Sequence, residues 1–188
     1  RYLMANKSYL INTVGLCAVA VFLPLLFGKF HGLNILPLGF AILCLNTPIC
    51  TLLSCDPDFE QSIRVLPGQA SRFYIWYCLF ICFINGFIAC IYLCSWQLIN
   101  GGINVINIWI AVLFAMQSAI LSATLEWVRP IRNWKTESDL WHHPRKYLVP
   151  LLMMLVAAFV STWTPILWIW SVVLLFQCWA LLYMTKRL

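Results

Sequence analysis

The charges of this chain are spaced so widely that they leave long stretches suited to a membrane interior. Lys7 and Lys29 enclose 21 residues without a charge, Lys29 and Asp56 enclose 26, Arg72 and Glu126 enclose 53, and Lys146 and Lys186 enclose 39. A helix needs about 20 apolar residues to cross the hydrocarbon core of a bilayer. The first two runs therefore fit one crossing each and the last two fit two each. Asn100-Gly101-Gly102 is a strong breaker within the third run, and Ser161-Thr162-Trp163-Thr164-Pro165 divides the fourth. The expected fold is all-α: one polytopic membrane domain, 1–188, with six transmembrane helices at about 9–27, 33–54, 73–94, 104–125, 147–161 and 165–184. Tyr147–Val160 is short for a full crossing. It either tilts or enters and leaves on the same side within a protein-lined cleft.

Composition sharpens the exclusion. Of 188 residues, 63% are hydrophobic and 10% charged, against about 25% charged in an ordinary soluble domain. So few polar groups cannot coat a soluble surface, which excludes a soluble enzyme, a nucleic-acid module and a disordered regulator. Arg1 is not an initiator methionine, so a short further N-terminal segment is expected ahead of it.

The basic residues divide sharply between the two sides. Arg1, Lys7, Arg64, Arg72, Arg129, Arg132, Lys135, Arg145, Lys146, Lys186 and Arg187 fall on one side of a six-span path, and only Lys29 falls on the other. The positive-inside rule makes the first side cytoplasmic, together with both termini. All six acids lie on that side too, in the segments 56–60 and 126–139. No Asp, Glu, Lys or Arg is expected inside a span, which argues against a carrier coupled to ions through a buried carboxylate.

Nine cysteines invite a metal or redox reading, yet no C-x-x-C pair exists. Cys78, Cys82, Gly86, Cys90 and Cys94 instead recur every four residues. Such a stripe of small side chains reads as a face on which membrane helices approach closely. His142-His143 lacks a completing ligand pattern and reads as an interfacial pair. Trp96, Trp127, Trp134, Trp141 and Trp163 sit near span ends as interface anchors, whereas Trp168, Trp170 and Trp179 are expected between helices. Asn46, Asn85 and Gln117 enter the spans as mild polar groups, for interhelical hydrogen bonds or as the lining of a substrate path. Asn46-Thr47-Pro48 is expected to bend the second span, because proline removes a backbone donor. No catalytic motif, phosphate loop or metal set is present, so the chain by itself is not expected to be an enzyme or to bind a cofactor.

Two segments on the charged side carry the functional signal. In the first, Asp56 is a good N-cap, Pro57 fits the first helical position, and Asp58 and Glu60 put negative charge in the first turn. Phe59, Ile63 and Leu66 form one apolar stripe, and Pro67-Gly68 ends the helix. This is a short amphipathic helix, about 56–66, between the second and third spans. Anionic lipid would repel its acidic front, which favours a protein partner over a lipid surface. The second, 126–146, interleaves Trp127, Ile131, Trp134 and Trp141 with five basic groups. Beside a membrane this reads as lipid anchoring, with contact to a partner protein as the alternative, and not as nucleic-acid binding.

Six spans, inward termini and an acid-led helix running into Leu66, Pro67, Arg72 and Phe73 resemble an ABC-2-type transporter permease, in its small form akin to bacterial peptide-export and immunity permeases. Gly68-Gln69-Ala70 stands where the family carries a short polar or basic run. The resemblance implies a plasma-membrane subunit in which Asp56, Asp58, Phe59, Glu60, Ile63, Arg64, Leu66 and Pro67 form a coupling helix docked on a cytoplasmic ABC ATPase. ATP and Mg would be bound by that ATPase, and a second permease subunit, the same or related, would complete the path. The cargo would be hydrophobic or amphipathic: a peptide, such as an antimicrobial one, a lipid or a drug. The competing expectation is a non-transporting membrane scaffold or sensor subunit.

Overall fold

The computed structural model describes residues 7–29, 35–45, 49–55, 57–65, 69–131, 144–163 and 165–185. Every regular element among them is helical: α1 (Lys7–Phe27), α2 (Leu36–Leu43), α3 (Leu52–Cys55), α4 (Pro57–Val65), α5 (Gln69–Ile99), α6 (Val105–Val128), α7 (Leu148–Thr162) and α8 (Ile166–Thr185), with short 3-10 turns at Ile49–Thr51 and Pro144–Tyr147. Three helices are long and apolar enough to cross a membrane: α1 over Leu10–Phe27, α5 and α6. The apolar helix α7 and the apolar part of α8, Ile166–Leu181, are shorter. At about 1.5 Å per residue, the 15 residues of α7 reach only about 22 Å, less than the ~30 Å hydrocarbon core. The outer surface is apolar, with Leu25, Trp76, Phe83, Phe87, Leu151, Val172 and Phe176 all exposed. Patches of this kind suit lipid rather than water. The architecture is that of a membrane-embedded helical protein.

Helices α5 and α6 form the most extensive helix pair, and the sequence explains why. Ala111, Ala115, Ala119 and Ala123 recur every fourth residue along α6, and all four are buried. Small side chains at this spacing let two backbones approach closely. The turn between the helices needs glycine, since Gly101 and Gly102 have φ of 68° and 74°, a region costly for residues with a Cβ. Gln97 Oε1 accepts from Ile103 N at 3.1 Å and closes the turn. Helix α1 is tied to α5 by side chains that reach its carbonyls. Ser95 Oγ donates to Val21 O at 2.8 Å, and Asn100 Nδ2 donates to Pro24 O at 3.1 Å.

The core lies between α2, α5, α6 and α7. Phe40 meets Tyr92 edge-on with centroids 5.1 Å apart, and Phe114 meets Trp170 of α8 edge-on at 5.0 Å. Edge-to-face packing of this kind is favoured by the ring quadrupoles. Met153, Ala157 and Val160 of α7 close the cluster.

Three expectations change here. The second span is broken rather than bent: α2 stops at Leu43, the 3-10 turn resumes at Ile49, and α3 adds four residues. The cysteine stripe on α5 is not its main buried face within the chain. Cys78 and Cys82 are half-buried, Cys90 and Cys94 are exposed, and a Cβ added at Gly86 would meet nothing within 4 Å. The buried face is the neighbouring row, Tyr74, Tyr77, Ile81, Asn85, Ile88 and Tyr92, because large side chains fill the interior better. Finally, Trp170 is buried as expected, but Trp168 and Trp179 are 76% and 61% exposed and sit on the outer face of α8.

Candidate functional site

The interruption after α2 frees backbone groups that need new hydrogen-bond partners. The chain answers with side chains from α5 and α6. The end of α2 turns on itself, with Leu45 N donating to Ile42 O at 3.1 Å and Cys44 Sγ to Phe40 O at 3.2 Å. After the break, Tyr77 Oη of α5 donates to Ile49 O at 2.8 Å. On the other flank, α6 presents Ser118, Ser122 and Glu126 at successive four-residue steps, one face of a helix. Ser118 Oγ donates to Ala115 O at 3.1 Å and accepts from Asn85 Nδ2. Glu126 Oε1 accepts from Ser54 N at 2.6 Å. Ser54 Oγ in turn accepts from Ile131 N at 2.7 Å.

Glu126 is only 1% exposed. The charge pattern places it at the start of the interfacial segment 126–146, just after the fourth span. The fold instead turns it inward at the end of α6. Its position in the row Ser118, Ser122, Glu126 was the available signal, because polar residues repeating on one helix face point to a common neighbour.

The acid-led helix forms as expected over Pro57–Val65. It packs against α3 and the start of α5. Ile63 is buried, whereas Asp58, Gln61, Ser62 and Val65 are exposed. Ser62 Oγ donates to Asp58 O at 2.8 Å, one turn back. Asp56, Leu66 and Pro67 lie outside the described residues, as do the side chains of Phe59, Glu60 and Arg64. The apolar-in, polar-out division is thus carried by Ile63 against Asp58, Gln61 and Ser62.

Of the three polar residues weighed for a substrate path, Asn46 lies outside the described residues. The other two make interhelical bonds. Asn85 Nδ2 donates to Ser118 Oγ at 2.9 Å, and Gln117 Nε2 donates to Gln177 Oε1 at 2.8 Å. Their other oxygens, Asn85 Oδ1 and Gln117 Oε1, are buried with no hydrogen-bond partner among the described residues. An interhelical bond in a membrane protein contributes about 0.6 kcal/mol, and removing an orphaned acceptor offsets part of that. Asn85→Ala is therefore expected to move the thermal midpoint in detergent by no more than about 2 °C. A fall beyond about 5 °C would mean that Oδ1 is paired.

Among the hollows lined by described residues, two are large. A groove of about 410 Å³ runs between α5 and α6 past Cys82, Gly86, Cys90, Ala111 and Ala115, which is where the cysteine stripe lies. A cavity of about 510 Å³ sits at the Val105 end of α6, far from Glu126, lined by Val105, Ile106, Trp109, Pro165, Leu167 and Trp168. Both are almost wholly apolar. No group of three or more His, Cys, Asp or Glu side chains among the described residues is placed to hold a metal ion. The chain matches no protein-family model, no curated protein and no solved structure.

Proposed function

We propose that the chain is the transmembrane subunit of an ABC-2-type transporter, in which α4 is the coupling helix. The observation that carries this reading is the construction of α4. It is a separate nine-residue helix between a broken span and the longest helix, with Ile63 turned to the bundle and the acid-led front, Asp58, turned outward. A helix resting on anionic lipid would be better served by a basic front. A basic groove on a partner protein complements this one.

In this reading two permease subunits pair, and each carries a cytoplasmic ATPase that binds ATP and Mg. Closure of the ATPases displaces α4 and shifts the spans as rigid bodies between two states. The apolar, tryptophan-lined cavity at the far end of α6 suits a hydrophobic or amphipathic cargo.

The test is purification of the tagged full chain from its native membrane, followed by reconstitution into vesicles. A P-loop ATPase is expected to co-purify and to hydrolyse ATP. Joint reversal, Asp58→Lys with Glu60→Lys, is expected to lower its recovery at least tenfold while leaving the yield of inserted chain unchanged. Absence of any P-loop ATPase from the parent preparation would overturn the reading, and so would undiminished recovery with the double reversal.

A further inference from the structure

The grip on Ser54 has a mechanical meaning. Only six acids occur in the chain, and one of them, Glu126, is held at 1% exposure. Burying a carboxyl group is costly unless its hydrogen bonds are met, and an apolar residue could fill the same space. What Glu126 supplies is a short bond to a backbone N–H, at 2.6 Å. The same residue, Ser54, is held a second time through its hydroxyl by Ile131 N, just beyond the end of α6. Ser54 is therefore fixed to the terminus of α6 by both backbone and side chain, and it is itself fully buried. From Ser54 to Pro57 the chain advances three residues, at most about 10 Å of extended backbone. There is little slack between the clamp and α4.

We propose that Glu126 is a positioning residue that joins α4 to α6, so that displacement of α4 moves the end of α6 rather than being absorbed in the connector. This rests on the reading of α4 as a coupling helix. The clamp itself is a property of the chain alone, so the two can fail separately.

Hydrogen exchange followed by mass spectrometry on the detergent-purified full chain tests the clamp. Glu126→Ala is expected to speed exchange at least tenfold in peptides covering 52–65, with the centre of α5 and α7 unchanged. Glu126→Gln keeps an oxygen acceptor of the same size and is expected to restore protection to within about threefold of the parent. Ser54→Ala removes the Ile131 bond while keeping the one from Ser54 N, and is expected to give an intermediate increase that includes 129–131. It also keeps the clamp testable if Glu126→Ala does not fold. Transmission is read on the complex with its ATPase by adding ATP, Mg and vanadate. In the parent, exchange is expected to change both in 52–65 and in 120–131. In Glu126→Ala, the ATPase is expected to remain bound and only 52–65 to respond. Unchanged exchange in 52–65 for both Glu126→Ala and Ser54→Ala would overturn the clamp, as would Glu126→Gln matching Glu126→Ala. A response in 120–131 that survives Glu126→Ala would overturn its role in transmission. Absence of an ATPase from the parent preparation overturns the coupling reading and leaves the exchange measurements to decide the clamp.

Discussion

Replacing Phe114 with alanine is expected to destabilise the bundle by about 3–5 kcal/mol. Its ring is 1% exposed and lies between Phe40, at 5.9 Å between centroids, and Trp170, at 5.0 Å. It thereby joins the broken second segment to the last helix across α6. Truncation removes both aromatic contacts and leaves a void that the surrounding helices cannot close, since the neighbouring Phe40 and Tyr92 are themselves fully buried. In a chain of this length, each kcal/mol lowers the midpoint by about 2–4 °C. Thermal unfolding in detergent, followed by size exclusion, should show a fall of about 10 °C. Phe176→Ala serves as the control, because its ring is largely exposed on α8. Equal effects from the two variants would mean that the Phe40–Phe114–Trp170 stack does not organise the core.

The second large effect is expected at Gly39. A Cβ added there would collide with the Tyr92 hydroxyl and ring. Tyr92 is fully buried, and its hydroxyl donates to Leu36 O at 3.4 Å, so its ring cannot swing outward. Overpacking of this kind costs about 1–3 kcal/mol or more, well above the ~1 kcal/mol that replacing glycine gains in helix propensity. Gly39→Val is expected to reduce the yield of folded chain severely and Gly39→Ala to lower the midpoint by several degrees. Tyr92→Leu clears the space but loses the Phe40 contact. The double variant Gly39→Ala with Tyr92→Leu should therefore be more stable than the two single losses added together. Strict additivity would show that glycine is not required by this contact.

Much of the helical frame was legible in the sequence because glycine and proline mark helix ends and charge-free runs mark the apolar lengths between them. The run after Arg72 and the Asn100-Gly101-Gly102 breaker correspond to α5, α6 and their turn, although α5 begins earlier, at Gln69, and Ser161–Pro165 separates α7 from α8. Pro57 at a helix start located α4. The break in the second segment was harder to read. Asn46-Thr47-Pro48 pointed to a bend, but a full interruption is tolerable only where distant groups meet the freed backbone. Those groups are Tyr77 and Glu126, neither of them local. The cysteine stripe misled for a related reason. Periodicity shows that a face exists, not which of two adjacent faces is buried, and the volume of Tyr77, Ile81 and Tyr92 decided it. The alanine row of α6 was equally visible and is the one that packs.

The broken segment also has a history in time. Three bonds that hold it come from chain synthesised later: Tyr77 follows Ile49 by 28 residues, Glu126 follows Ser54 by 72, and Ile131 follows it by 77. At about 5–20 residues per second, Ser54 emerges roughly 4–14 seconds before its acceptor exists. During biosynthesis these three contacts can form only once α5 and α6 have been made, so the packing of 49–54 onto them is completed late.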